Sequence, residues 1–253
     1  MADNQHVFED YSNYYDLFYR DKNYEKESGC VIALLKDLSP GAGTLIELGS
    51  GTGNYSHYFA EAGYHVTGIE KSRPMIERSK MKSIQNFEPL LCDMVSFDLD
   101  REYDAAVSLF DVMCYLTEDE ELISCFNSIS RNLKQGGVLI FDSWYTPAVY
   151  ASPPQAGIRR AENDKVEIIR LAEPVMNYRQ NTVAVHYEFI IRDKNNGQYR
   201  SLKEIHTLRH FNVPEIDAIA CSSGFELIGC GELLTGKAAD SSTWKVCYKL
   251  RKK

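Results

Sequence analysis

Apolar positions follow two different rhythms along the chain, and the change comes near Trp144. From Tyr24 to Leu38, Val31, Leu34, Leu35 and Leu38 recur at helical spacing, and SPGAG predicts the stop. TLIELG is a short apolar run that predicts a strand. NYSHYFAEAG predicts a helix ended by Gly63, and YHVTGIE a second strand ending on Glu70. SRPMIERSKMK predicts a helix with Ser72 as its cap and Pro74 in its first turn, where a missing N–H costs nothing. FEPLLC and YDAAVSLF predict the third and fourth strands, with no full helix between them. TEDEELISCFNSISRNL predicts a helix capped by Thr117, its early acids matched to the helix dipole. KQGG turns the chain and VLIFDSW predicts a fifth strand.

After Trp144, TPAVYASPPQAG reads as a loop with three prolines. Period-two runs follow. In NTVAVHYEFIIRD, the residues Val183, Val185, Tyr187, Phe189 and Ile191 share one face. KNNGQ reads as a hairpin turn, and YRSLKEIHTLRHF returns. VPEIDAIACSSG predicts a helix, and FELIGCGELL and TWKVCYKL a terminal antiparallel hairpin. The expected architecture is α/β and doubly wound, with a buried parallel sheet covered on both faces. The main domain is expected over 1–143 and 212–253. Residues 144–211 are expected to form an antiparallel β insertion that covers the substrate, contacts a second subunit, or both.

Charge narrows the functions. A formal net charge of −8 leaves no broad basic face for duplex nucleic acid. The seven cysteines include no C-x-x-C and no metal-ligand spacing, which fits reduced, buried thiols. MADNQHVFEDYSNYYDLFY lacks the basic and apolar regions of a signal peptide, and no run of about 18 apolar residues could span a membrane. A cytoplasmic location is expected, with no membrane partner.

The chemistry concentrates in LIELGSGTGNYSHYF, where Gly49, Gly51 and Gly53 separate a strand from a helix. A helix N-terminus offers free N–H groups, and glycine lets a ligand approach its backbone closely. Open α/β sheets bind nucleotides at this place. Glu70, ending the second strand, suits the two hydroxyls of a ribose; Asp93, after the third, suits the amino group of an adenine. The turn is not G-x-G-x-x-G, because Asn54 stands where the last glycine would be, and it lacks the G-K-[ST] of a phosphate loop. Glu47 beside the turn would repel a pyrophosphate and attract a cationic ligand.

IELGSGTG resembles motif I of the class I S-adenosylmethionine-dependent methyltransferases. Glu70, CDM at 92–94 and LKQGGVLIFD at 133–142 resemble the later motifs in order and spacing. The resemblance covers roughly 40–145 and 212–250. It implies a seven-stranded Rossmann-like methyltransferase sheet whose last strand is inserted antiparallel, and S-adenosyl-L-methionine as cofactor. Within that class, YYDLFYRDKNYEKE, VSLFDVMCYL, FDSWY and EIHTLRHF resemble the sugar N-methyltransferases that dimethylate nucleotide-linked amino-deoxysugars. The cofactor set implied is Tyr15, Tyr24, Glu47, Gly49, Gly51, Gly53, Glu70, Met75, Asp93, Met94 and Phe110. Tyr19 is implied beside the reacting methyl group. Asp111 departs from that family, which usually carries a small or hydroxyl residue there.

Methyl transfer to an amine needs an oriented, unprotonated nitrogen more than a strong base. Tyr19 is expected to orient that nitrogen, and Asp111 to accept a hydrogen bond or a proton. A hydroxyl acceptor would demand a firmer base, for which His186, His206 and Glu204 are candidates. Glu204 and His206, two apart, share one strand face. Arg159, Arg160, Arg170, Arg192, Arg200 and Arg209 read mostly as a solvated sheet face, with a diphosphate as the alternative. The leading expectation is N-methylation of a small molecule, with O-methylation of a natural-product hydroxyl or carboxylate as the rival. A cofactor-binding protein without turnover is less favoured. The partner is a small-molecule acceptor, and a homodimer through the insertion is one arrangement.

Overall fold

Side chains along β1 (Thr44–Leu48) alternate between two cores. Ile46 and Leu48 face one, and Leu45 faces the other. The same alternation runs through β4 (Tyr103–Ser108), where Ala105 and Val107 oppose Ala106, and through β5 (Leu133–Trp144), where Val138 and Ile140 oppose Leu139 and Phe141. A sheet buried on both faces must be clothed on both, so helices sit on each side. The computed structural model describes residue 8 and residues 11–253. One face is covered by α2 (Tyr24–Leu38) and α3 (Asn54–Glu61), through Val31, Leu35, Tyr55 and Phe59. The other is covered by α5 (Asp119–Asn132) and α7 (Val213–Ser222), through Leu122, Phe126, Ile129 and Ile216.

The seven strands run in the order β10 (Phe225–Glu232), β11 (Lys245–Lys252), β5, β4, β1, β2 (His65–Glu70) and β3 (Phe87–Leu91). Pairing among β3, β2, β1, β4 and β5 is parallel. β11 runs antiparallel to both β5 and β10. This is the sheet expected for a Rossmann-like methyltransferase. α4 (Arg73–Met81) joins β2 to β3 and begins as predicted, with Ser72 Oγ accepting from Met75 N. Among the described residues, no helix is long and apolar enough to cross a membrane.

Local details depart from the sequence reading. The cap of α5 is Glu118, not Thr117, and Glu118 forms a capping box with Glu121. LKQGG belongs to β5, with Gly136 at φ +75, because the β4–β5 register slips between Tyr103↔Leu133 and Ala105↔Val138. TPAVYASPPQAG is not all loop. Pro147 occupies the first turn of α6 (Thr146–Ala151), where proline fits without penalty.

The period-two segment forms a second sheet of four antiparallel strands, β6 (Gly157–Glu162), β7 (Val166–Asn177), β8 (Thr182–Asp193) and β9 (Tyr199–Arg209). Its inner face, with Ile168, Phe189 and Ile191, packs on Tyr11, Tyr14 and Phe18 of the segment around α1 (Ser12–Phe18). The base of the insertion is fastened by Phe211 N donating to Trp144 O and Tyr145 N donating to Trp244 O. A cleft therefore lies between the carboxyl ends of the parallel strands, the inner face of the small sheet and α1.

Candidate active site

The three glycines of the first turn have three different reasons to be there. A Cβ on Gly49 would lie 2.4 Å from Val112 Cγ1, so Gly49 lets the 3-10 turn Val112–Tyr115 close on β1. A Cβ on Gly53 would lie 3.1 Å from both Ile84 and Phe87, on the side away from the cleft. Gly51, at φ +54, would meet nothing closer than Gly49 O at 4.0 Å. Only Gly51 faces open space, and its backbone conformation is one that L side chains rarely adopt.

That space belongs to a cavity of about 750 Å³, within the size range of ligand sites. It has two halves. In the first, Gly51, Glu70, Ser72, Met75, Asp93 and Met94 line the strand ends. Glu70 Oε2 accepts from Gly51 N at 3.0 Å and Oε1 from Ser72 N at 2.7 Å. Burial pushes the Glu70 carboxyl above its usual value, while these two N–H groups hold it down. Each oxygen keeps a lone pair for a hydroxyl. Asp93 Oδ1 accepts from Val95 N at 2.9 Å, which shapes the loop after β3.

The second half is aromatic. Tyr15, Tyr19, Phe110, Tyr115, Trp144 and Tyr187 line it, with Phe8 at the boundary. Tyr15 and Tyr19 lie 4.8 Å apart, and Tyr19 meets Phe110 edge-on at 5.0 Å. Arg170, buried on the inner face of β7, donates to the hydroxyls of Tyr11 at 3.1 Å and Tyr19 at 3.4 Å. Arg159 donates to Phe18 O and lies over the Tyr19 ring at 5.6 Å. Of the six arginines first considered, Arg159 and Arg170 hold Tyr19. Arg200 binds Tyr14, Arg192 pairs with Glu167, Arg209 pairs with Asp119 and Glu215, and Arg160 is exposed.

Charges of both signs flank Phe110. Lys22 Nζ and Lys245 Nζ sit over its ring at 4.4 and 4.5 Å. Lys22 pairs with Glu27, and Lys245 with Asp111 Oδ2 at 2.7 Å. Burial opposes the charge of Lys245, yet Asp111 and Asp142 together hold its ammonium well above the usual value. Asp142 lies behind, accepting from Asp111 N at 2.7 Å; burial pushes its carboxyl up to about 6, against the pull of Lys245. Asp111 itself has φ +64; Lys245 engages its Oδ2, and its Oδ1 is buried and without a protein partner.

Of the residues singled out by sequence, Tyr15, Tyr19, Tyr24, Gly49, Gly51, Glu70, Met75, Asp93, Met94, Phe110, Asp111 and His206 come together around this cavity. Two do not. Gly53 lies on the far side of the turn. Glu47 is buried beneath it, with Ser56 Oγ donating to its carboxylate. Burial first, and Glu70 nearby, push the Glu47 carboxyl up to about 8, so near neutral pH it is mostly uncharged and attracts no cation. His186 points to the opposite face of β8 and is exposed, because it pairs with Ile205 while Val185 pairs with His206. Sequence reasoning missed Phe8, Tyr115, Asp142 and Lys245. Lys245 stands more than 100 residues along the chain from both Asp111 and Asp142, and the antiparallel pairing of Lys245 with Trp144 brings it there.

The residues present fit a cationic adenosine ligand with an amino-acid end. A diol acceptor, an open glycine, an aromatic wall and an unpartnered carboxylate oxygen answer its parts in turn. Among the described residues, no group of three His, Cys, Asp or Glu side chains is placed to hold a metal ion.

Residues 45–137 match the family model of the methyltransferase domain. The chain is 28% identical over 222 residues to dTDP-3-amino-3,4,6-trideoxy-alpha-D-glucopyranose N,N-dimethyltransferase of Streptomyces venezuelae, covering 86% of this chain and 91% of that one. Its fold superposes with a TM-score of 0.80 on an S-adenosylmethionine-dependent methyltransferase from Clostridium acetobutylicum, at 19% identity, covering 96% and 98% of the two chains. For a sugar N-methyltransferase from Streptoalloteichus, the TM-score is 0.78 at 23% identity, covering 94% and 93%.

Proposed function

We propose that this chain, a methyltransferase by its domain and its fold, uses S-adenosyl-L-methionine to methylate the amine of an amino-deoxysugar carried on a nucleoside diphosphate. When bound, the cofactor supplies a methyl group already activated on a sulfonium. Glu70 would hold its ribose, Asp93 and Met94 its base, and the backbone at Gly51 would lie against it. Asp111 Oδ1 would take its ammonium. The protein's remaining work is orientation and exclusion of water, because the leaving group needs no further activation.

Tyr19 does the orienting. One lone pair of its oxygen takes Arg170 at 3.4 Å. The other is available to an N–H of the acceptor amine, which turns the nitrogen lone pair away from Tyr19 and into the cavity. The aromatic wall of Tyr15, Tyr19 and Phe110 suits the positive charge that passes from sulfur to nitrogen.

The observation that carries this reading is one cavity that joins a ribose-accepting carboxylate to an aromatic chamber at the inner face of the small sheet. The relative from Streptomyces venezuelae, named as an amino-sugar N,N-dimethyltransferase, supports the choice of acceptor. The test is mass spectrometry of a dTDP-3-amino-deoxysugar incubated with the protein and S-adenosylmethionine. One or two added methyl groups on nitrogen are expected. No transfer to any amine, with transfer to a hydroxyl compound, refutes the amine acceptor.

A further inference from the structure

One buried histidine on the inner face of the small sheet is wired in a way that orientation alone does not require. His206 is 2% exposed and lines the acceptor half of the cavity. Its Nε2 lies 3.0 Å from Glu204 Oε2, and its Nδ1 lies 2.8 Å from the hydroxyl of Tyr115. Glu204 is already an acceptor for two backbone groups, Phe8 N at 3.1 Å and Tyr11 N at 3.2 Å. A carboxylate so placed takes a third N–H, which puts the imidazole proton on Nε2. Nδ1 of the neutral ring is then an acceptor, and the Tyr115 O–H must donate to it.

The surroundings keep the ring neutral until a proton arrives. Phe8 meets it edge-on at 5.0 Å and Tyr187 of β8 at 4.9 Å, while Tyr11 stands 6.1 Å away. Burial lowers the affinity of His206 for a proton, and Arg170 of β7 adds to this; Glu204 opposes both. Glu204 is the anion beside the ring, and Tyr115 is its contact with the cavity. The order hydroxyl, imidazole, carboxylate is that of a nucleophile–base–orienter chain, here ending in a phenol.

We infer that Tyr115, His206 and Glu204 form a proton relay that receives the proton lost by the methyl acceptor. The inference rests on the methyltransferase reading, but not on the acceptor being an amine. As the acceptor atom bonds the methyl carbon, the carbon–sulfur bond breaks and its electron pair stays on sulfur. The acceptor's N–H or O–H proton passes to the Tyr115 oxygen, and the Tyr115 proton passes to His206 Nδ1. The positive charge ends on the imidazolium, next to Glu204. Nothing is oxidised or reduced. Tyr115 and His206 act as catalytic residues, and Glu204 as the positioning residue behind them. For an amine this relay clears the proton that a second methylation requires to be gone. For a hydroxyl it supplies the base.

Two measurements test it. The first needs no turnover. Nitrogen-15 spectra of the imidazoles, with the His206 signal assigned by its loss in His206→Asn, are recorded with and without S-adenosylhomocysteine. The neutral ring with its proton on Nε2 is expected at pH 7, the Nδ1 signal moves in Tyr115→Phe, and the titration midpoint of the ring falls in Glu204→Gln. A ring protonated at pH 7, or with its proton on Nδ1, overturns the relay. The second is turnover of a dTDP-amino sugar. Tyr115→Phe and His206→Asn should lower kcat about 10²-fold near pH 7, with the loss shrinking as pH rises. Calorimetric affinity for S-adenosylhomocysteine should stay within about threefold. Wild-type kcat for Tyr115→Phe across pH 6 to 9 overturns the relay. If the wild-type protein methylates only hydroxyl compounds, the amine reading falls, and the same variants judge the relay on that substrate.

Discussion

Replacing Glu47 by Gln should stabilise the protein, and the size of the gain should depend on pH in one direction only. Glu47 is 2% exposed and its carboxyl is raised from 4.5 to about 8. The folded chain therefore keeps a proton that the unfolded chain releases above pH 4.5. The native state binds more protons through this whole window, so stability falls as pH rises from about 4.5 to about 8. At about 1.36 kcal/mol for each pH unit above 4.5, the native state forgoes about 3 kcal/mol by pH 7. Gln keeps the volume and an oxygen for Ser56 Oγ, and it carries no proton to lose. Urea unfolding at pH 4 and pH 8 should show near-equal wild type and Glu47→Gln at the lower pH, with the variant ahead at the higher. At pH 7 the gain of about 3 kcal/mol corresponds to a rise in Tm of about 6–12 °C for a chain of this size. Because Glu47 does not line the cavity, S-adenosylmethionine affinity should change by less than about threefold. A variant no better at pH 8 than at pH 4, or one that loses the cofactor, refutes the reasoning.

Gly51→Val puts a branched side chain at φ +54 and into the only open side of the turn, so S-adenosylhomocysteine affinity should fall at least about 10²-fold by calorimetry. Unaltered affinity would mean that the ligand lies elsewhere. Tyr19→Phe removes the oxygen that Arg170 holds; kcat on an amino sugar should drop about tenfold or more while cofactor affinity holds, and equal losses in both would contradict an orienting role. Phe141→Ala deletes a fully buried ring stacked on Tyr248 at 4.9 Å, and urea unfolding should report a loss of about 3–5 kcal/mol.

Strand and helix order through Trp144 was legible because apolar strands buried on both faces and capped helices leave strong local signals. Ser72 and the Gly49–Gly53 turn announced themselves in this way. What escaped was set by distance along the chain. The slip of LKQGG into β5 depends on its pairing with β4, and α6 hides behind Pro147, which reads as a breaker unless the first turn is known. Glu47 was assigned to the ligand from its place next to the glycines, yet strand alternation turns it under the sheet. Asp111 read as a free acid because Lys245 lies far away in sequence. His206 was the favoured base and His186 a further candidate, and the β8–β9 register sends them to opposite faces.

Phe8 bridges the small sheet and the head of α4: its N–H goes to Glu204 on β9, and its carbonyl accepts from Ser72 Oγ. A single residue thus links the layer that would hold the donor to the layer that faces the acceptor. Grafting experiments inherit this constraint. A relative's insertion transplanted without its own amino-terminal segment would arrive with a severed brace, so the two pieces should be exchanged together when specificity is redesigned.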